Sequence, residues 1–427
     1  MNDDSMFRVE SDALGSETVP SGAYYGIHAV RARDNFAVSG RPVNPRITRA
    51  IVLVKKAAAT VNGRQGGISE QVASGILSAC DEILQGQMDK HFIVDAYQGG
   101  AGTSTNMNVN EVIANLAIEK LGGHKGDYRL IHPIDHVNLY QSTNDVYPTA
   151  IRIAMIPLLR SLSEEFASLQ EALQEKEREY ADVLRLGRTQ LMDALPIMAG
   201  QSFGAYAKAV ARDRWRLYKA EERLREINLG GTAVGTGMNA PLAYSYAIAE
   251  ELLLNSGPSG GMAEYILPPM QVGSSILPGK MNPVIAEMAG SVAMKVISND
   301  TAVTLAAASG QLELNAFAPL IAESILESLE ILTEAVRLLN ERCVRGLKVD
   351  TAHCLEHLER SGVMAAAAVT YLGYDAAVEL ATSAAASDQP LKEILLEQGL
   401  MTKKQIDAIL HPLQVTKPGI PGTSSDL

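Results

Sequence analysis

The sequence predicts an all-α protein: a bundle of long helices with smaller helical regions towards its two ends. Three observations carry that expectation. Apolar residues recur at spacings of three and four, as in Leu159, Leu162, Phe166, Leu169 and Leu173, and again in Leu329, Leu332, Val336 and Leu339. That is the stripe a helix turns towards a core. Hydrophobic residues make up 47% of the 427 residues but aromatics only 5%, with Trp215 the single tryptophan. The core must then come from Ala, Leu, Ile and Val, which suit close helix packing. Finally, Gly- and Pro-rich loops separate the helical runs. The length allows two or three domains, and the pattern places them at 1–140, 141–350 and 351–427.

In chain order, residues 1–45 are rich in Gly, Pro and Ser and read as an extended arm. The acidic, polar N-terminus carries no signal-peptide pattern. Within the arm His28, Arg31 and Arg33 lie close together. They form either a solvated surface or a basic arm reaching an anionic ligand. Helical runs follow near Arg46–Asn62 and Ser69–Met88. The stretch GGAGTSTNMN, residues 99–108, then gathers small residues, hydroxyls and amides before an apolar helix. Helix N-termini offer unpaired N–H groups that suit carboxylates. An ordinary cap needs fewer polar side chains than this, which favours a binding site. A second polar cluster, Gln141, Ser142, Thr143 and Asn144, opens the next helix. His132 and His136 lie four apart, but Pro133 intervenes and no third ligand is near, which argues against a metal site.

Two long helices are expected on either side of a ten-residue turn, GRTQLMDALP at 187–196. The second is marked by Phe203, Val210, Leu217 and Leu224. Such a pair runs antiparallel. The Gly-rich stretch at 229–241 is no dinucleotide fingerprint, since no strand precedes it. The helix after it, Leu242–Asn255, is short, about 20 Å at the usual rise. The loop GSSILPGKMNP, Gly273 to Pro283, holds two Gly and two Pro in eleven residues and cannot be regular structure. Alone it reads equally as a surface turn or as a loop carrying a base or an oxyanion site. Long helices return near Val284–Ala308 and Pro319–Arg345, with SGQLELNAFAP as the turn between them. A smaller helical tail begins near Val349 and is broken at Gly399.

The net charge of −12 argues against a nucleic-acid binder, which would show a basic face. Cys80, Cys343 and Cys354 show no CxxC spacing. They point to a reduced, cytoplasmic compartment without disulfides or a zinc site. No apolar run is long enough for a membrane span. The three polar loop clusters together are rich in hydroxyls and amides and contain a lysine. Such a set suits a small polyanion held without metal or organic cofactor.

With those clusters in view, the chain resembles the aspartase/fumarase superfamily, whose signature loop reads GSSxMPxKxNP. It departs from that pattern only at Leu277, where Met is usual. Within the superfamily GAGTSTNMN, QSTNDVYPTA and YYGIHAVRARDNF are most similar to the aspartate ammonia-lyase branch, while GGTAVGTG is more similar to fumarases. The resemblance implies an all-α homotetramer with each active site drawn from three subunits, and no cofactor. It implies an ammonia-lyase that converts L-aspartate to fumarate, with fumarate hydratase or a catalytically silent homologue as the alternatives. Ser274 is then the base. Lys280 is its activating cation, and Lys280 and Asn282 hold substrate carboxylate. Thr103, Ser142, Thr143, Asn144, Thr189 and Gln190 line the substrate. Fumarases carry histidine at the position of Gln190. Three departures from the family pattern stand out: Tyr140 in place of a small serine, SGVMAAAAVTYLGY in place of an Asn-Pro segment, and several dozen residues fewer between Pro241 and Gly273.

Overall fold

The computed structural model describes residues 6–64, 66–139, 141–189, 192–225, 264–268, 270, 283–310, 315–387, 389–411, 415–416 and 421. The short helix expected at 242–255 and the loops at 229–241 and 273–282 lie outside them. The described chain is helical, as expected, with three small two-stranded sheets. It divides into two compact units. One comprises Met1–Ser163, Arg216–Ala240 and Lys295–Thr333; the other comprises Glu164–Trp215, Pro241–Met294 and Glu334–Leu427.

In the first unit the N-terminal region is not an extended arm. Strands Phe7–Asp12 and Gly15–Pro20 pair as an antiparallel hairpin, followed by the helix Ile27–Asn35. Its basic residues already have partners. Arg31 Nε and Nη2 donate to Asp12 at 2.9 and 3.0 Å, and His28 Nδ1 lies 3.0 Å from Glu111. Glu111 also accepts from the backbone N–H groups of Gly26, His28 and Ala29, which closes the exposed start of that helix. The reading of a basic arm reaching a ligand is corrected accordingly for His28 and Arg31. Neither partner, Asp12 in a strand nor Glu111 on a distant helix, is marked as such by local sequence.

The helix Pro45–Arg64 packs on Glu70–Leu84, which in turn packs on Thr103–Lys120. Ser69 caps the middle helix by accepting from Val72 N, and Ala73, Ile76, Cys80 and Ile83 form its buried row. The Thr103–Lys120 helix is buried on every side from Thr105 to Ile118. A helix enclosed in that way must satisfy its polar side chains internally. Asn108 and Asn115 do so at both ends of the amide, whereas Asn106 and Asn110 use their amide N–H groups and leave Oδ1 without a partner among the described residues.

In the second unit the parts of the long helices Thr143–Glu179 and Ala199–Leu224 that belong to it, 164–179 and 199–215, run antiparallel. Arg214 bonds Gln170, and Gly200 N bonds Tyr180 O, so residue numbers fall along one helix as they rise along the other. The predicted stripes are buried: Leu169 and Leu173 are 1% exposed, Val210 0% and Leu339 1%. The ten-residue turn is corrected to a β-hairpin, Leu184–Thr189 with Met192–Met198, in register Leu184↔Met198 through Thr189↔Met192. The glycine that read as a turn signal has another role. Gly187 sits at a bulge, and a Cβ there would lie 2.4 Å from the carbonyl oxygen of Leu195. The base of the hairpin is core. Leu184, Leu186 and Met198 pack with Leu358, Leu380, Ile394 and Ile406 of the C-terminal helices.

Leu186 is 1% exposed in that core. Leu186→Ala should lower unfolding stability by about 2–5 kcal/mol through the lost transfer energy and the cavity. Denaturant unfolding checks this, and a loss under about 0.5 kcal/mol, the range of an ordinary surface change, would show the hairpin base is not packed as described.

Candidate active site

Two of the polar clusters meet in the first unit. The loop before the Thr103–Lys120 helix runs through Gly100, Ala101 and Gly102 with φ of 81°, 56° and 88°. Positive φ costs little for glycine but roughly 1–2 kcal/mol for alanine. Ala101 is held there by burial and by its N–H to Ala316 O at 3.2 Å. Gly102 has a second constraint. A Cβ on it would lie 2.4 Å from the ring of Tyr147, a buried residue just inside the Thr143–Glu179 helix. Without a side chain at Gly102, the ring packs directly on the backbone, and the starts of the two helices are pressed together.

The hydroxyls at those starts are already oriented. Thr103 is exposed, and its Oγ1 donates to Gly100 O at 2.8 Å, leaving its lone pairs to a ligand. Thr143 Oγ1 accepts from Asn106 Nδ2 at 3.2 Å, and Ser142 Oγ accepts from Asn144 N at 3.2 Å. Among the described residues nothing accepts from their own O–H groups, which remain available to donate. Asp145 Oδ1 accepts from Ser142 N at 2.9 Å, and the Ser142 carbonyl accepts from Asp145 N at 3.2 Å. Asn144 is half-buried, and its side-chain amide has no partner among the described residues.

Behind this surface lies a buried network that sequence reasoning missed. Asn138 Oδ1 accepts from Lys55 Nζ at 2.6 Å, from Asn106 Nδ2 at 3.1 Å and from Asn110 Nδ2 at 3.3 Å. Asn138 Nδ2 donates to Gln141 O at 3.0 Å. The network joins three elements to the loop that carries Ser142. Lys55 is 0% exposed, and burial pulls its ammonium down to about 7, against the opposing pull of Asp145. A signal for Lys55 existed: it continues the apolar row Ile47, Ile51 at a spacing of four. The cluster at 99–108 is thereby divided. Thr105, Asn106 and Asn108 are buried scaffold, whereas Thr103 faces outwards.

In the second unit Thr189 is exposed at the end of its strand, opposite Met192. Gln190, Ser274, Lys280, Asn282 and Tyr140 lie outside the described residues. His132 Nδ1 accepts from the N–H groups of Ile134 and Asp135, and His136 Nδ1 from His132 N, so both rings serve one tight turn. Among the described residues no three His, Cys, Asp or Glu side chains gather as a metal ion needs. None of their helices is long and apolar enough to cross a membrane. All three cysteines are buried free thiols.

Comparison with known proteins gives the following. A lyase family model matches residues 15–255 and 248–298, and a model of the fumarase C C-terminus matches 364–417. An aspartate ammonia-lyase of Bacillus sp is 38% identical over 461 aligned positions, covering 97% of this chain and 98% of that protein. A crystal structure of fumarate lyase:delta crystallin from Brucella melitensis, bound to cobalt, superposes with a TM-score of 0.91 at 42% identity, covering 97% of this chain and 100% of that one. A class II fumarase from Schistosoma mansoni gives 0.88 at 29% identity, covering 96% and 99%. The 461 aligned positions exceed the chain's 427 residues, and the lyase model matches in two pieces overlapping at 248–255. Both findings agree with the shortfall expected between Pro241 and Gly273.

Gly102→Ala should cost at least about 1 kcal/mol from the positive φ alone, with the clash against Tyr147 in addition. Thermal unfolding checks this, and an unchanged midpoint would contradict the contact. Lys55 makes a pH prediction. Its ordinary value is 10.5 and its folded value about 7, so between these the unfolded chain binds more protons. Its effect is therefore to make stability rise with pH across that window. Lys55→Met should remove that component. Denaturant midpoints at pH 7 and about pH 9.5 should then differ less than in the wild type, and an equal difference would contradict a buried, depressed lysine.

Proposed function

The chain belongs to the aspartase/fumarase superfamily of lyases and is a carbon–nitrogen lyase, and from that premise we propose that it eliminates ammonia from L-aspartate to give fumarate. The observation that carries this reading is the 38% identity to an aspartate ammonia-lyase over 97% of the chain. The oriented hydroxyls add physical support. An aspartate substrate offers two carboxylates, which accept, and an ammonium, which donates. Ser142 and Thr143 have O–H groups free to donate and suit a carboxylate. Thr103, whose proton is committed to Gly100 O, suits the ammonium.

The reaction we propose starts with Ser274 as base, removing the proton from Cβ. A serine hydroxyl is too weak a base at neutral pH unless oriented N–H groups and a cation favour its alkoxide. Lys280 is that cation. The electron pair left on Cβ spreads into the adjacent carboxylate as an aci-carboxylate. It then returns to form the Cα–Cβ double bond as ammonia leaves Cα. Lys280, Asn282, Ser142 and Thr143 stabilise the carboxylate oxygens as their charge grows, so they favour the intermediate over the substrate. Asn144, Thr189 and Gln190 complete the hydrogen bonds to substrate. Gln190 has no titrating proton. An amine departs with less help than hydroxide, so glutamine there favours an ammonia-lyase over a hydratase. The enzyme acts without a cofactor, as a cytoplasmic homotetramer in which three subunits contribute to each site.

Ultraviolet absorbance of released fumarate tests the reading, first with L-aspartate and then with L-malate. Fumarate from L-aspartate is expected; none from either substrate sinks the enzyme reading, and fumarate from malate alone makes the protein a hydratase. Ser274→Ala should lower kcat by more than about 100-fold, the lower end of a general base's contribution, with dicarboxylate binding largely kept. Persistent turnover would reassign the base.

A further inference from the structure

Among the described residues the β-hairpin that carries Thr189 packs on the hydrophobic core at one end only. Leu184, Leu186 and Met198 are buried at its base, but beyond the bulge at Gly187 the chain leaves the core. Thr189, Asp193 and Leu195 are exposed, Leu195 by 62%. Among the described residues the one buried group that grips this outer end is the carboxylate of Glu264. It accepts from Arg188 Nη1 at 2.8 Å and is 0% exposed. Arg188 immediately precedes Thr189. Its Nε also lies 3.4 Å from Asp193, its partner across the hairpin.

Glu264 is itself anchored through its carbonyl and the two residues that follow it. Its carbonyl accepts from Asp350 N at 2.9 Å, and the next two residues, Tyr265 and Ile266, pair with Val349 and Lys348. Arg185 Nη1 and His357 Nδ1 each stand 3.7 Å from its carboxylate, beyond hydrogen-bond range. Glu264 Oε2, Arg185 Nε and His357 Nδ1 are buried without a hydrogen-bond partner. A buried charge cluster left so incompletely paired is a poor source of stability, because desolvation offsets the Coulomb gain. Its geometry does fix one thing well: the place of Arg188, and with it the strand end at Thr189.

We propose that Glu264 is a positioning residue for the reaction, holding Thr189 in register with the substrate through its ion pair with Arg188. This rests on the ammonia-lyase reading, in which Thr189 touches substrate. The carboxylate touches no reacting atom. It acts by fixing where the hairpin ends, and small displacements of a substrate-binding group are costly to rate.

The experiment is a double-mutant cycle on kcat/KM for L-aspartate with Glu264→Gln, Thr189→Ala and the pair, alongside hydrogen exchange of the intact protein. Glu264→Gln should lower kcat/KM by about 10- to 100-fold, the scale of an ångström-sized misplacement. In the Thr189→Ala background it should cost little more, since the group it positions is already gone. Amide exchange should speed up at 188–193 and stay unchanged at 184–186. Additive losses, or an unaltered hairpin exchange rate, would overturn the proposal. A wild type that makes no fumarate fails the ammonia-lyase reading, and with it the positioning role. The exchange measurement still decides whether Glu264 holds the hairpin end. If Glu264→Gln fails to fold, Arg188→Lys takes its place in the cycle. It keeps the charge but loses the guanidinium geometry, and it should couple to Thr189→Ala in the same way.

Discussion

Much of the first unit depends on one close contact, the ring of Tyr147 against the bare backbone of Gly102. A side chain at that glycine would overlap the ring at 2.4 Å. The contact sets how near the starts of two helices can come. Thr103 and the run Ser142–Asn144 stand at those starts, so the arrangement of their hydroxyls is a consequence of the packing. The three successive positive φ angles at Gly100, Ala101 and Gly102 bring the loop to that point. Strain at Ala101 is tolerated because burial and the bond to Ala316 leave it no alternative.

The amide network behind these residues turns proximity into orientation. A threonine hydroxyl can donate or accept, and its neighbours decide which. Asn106 donates to Thr143, so Thr143 is left to donate outwards; Gly100 O accepts from Thr103, so Thr103 is left to accept. Asn138 holds Asn106 in turn, and Lys55 holds Asn138. Burying a lysine there disfavours its charged form, which is why its pKa is depressed. The same division between a packed base and an oriented outer group recurs in the second unit. There Leu184 and Leu186 seat the hairpin, and Arg188 and Glu264 place its end.

The fold class was legible because helical periodicity is local: Leu169, Val210 and Leu339 lie on stripes that can be counted along the chain, and all are buried. The hairpins were not legible. Phe7–Pro20 read as an arm and 187–196 as a turn, because short strands are defined by a pairing partner and a core face rather than by their own residues. The clusters at 99–108 and 141–144 were visible as composition. Their division into scaffold and surface was not, since Asn106 differs from Thr103 only in what surrounds it. Lys55 could have been noticed as a charge on an apolar row. Glu264 could not, because its partner Arg188 is distant in sequence and nothing in its own segment marks it. Resemblance supplied what spacing could not, namely the proposed roles for Ser274, Lys280 and Asn282.

The chemistry is tested most directly by running the elimination backwards. Fumarate and ammonia in deuterated water, followed by proton magnetic resonance, report both the bond formed at Cα and the proton delivered to Cβ. The account predicts L-aspartate carrying a single deuterium on Cβ. Deuterated malate as the only product, or no product with fumarate left unchanged, would contradict it.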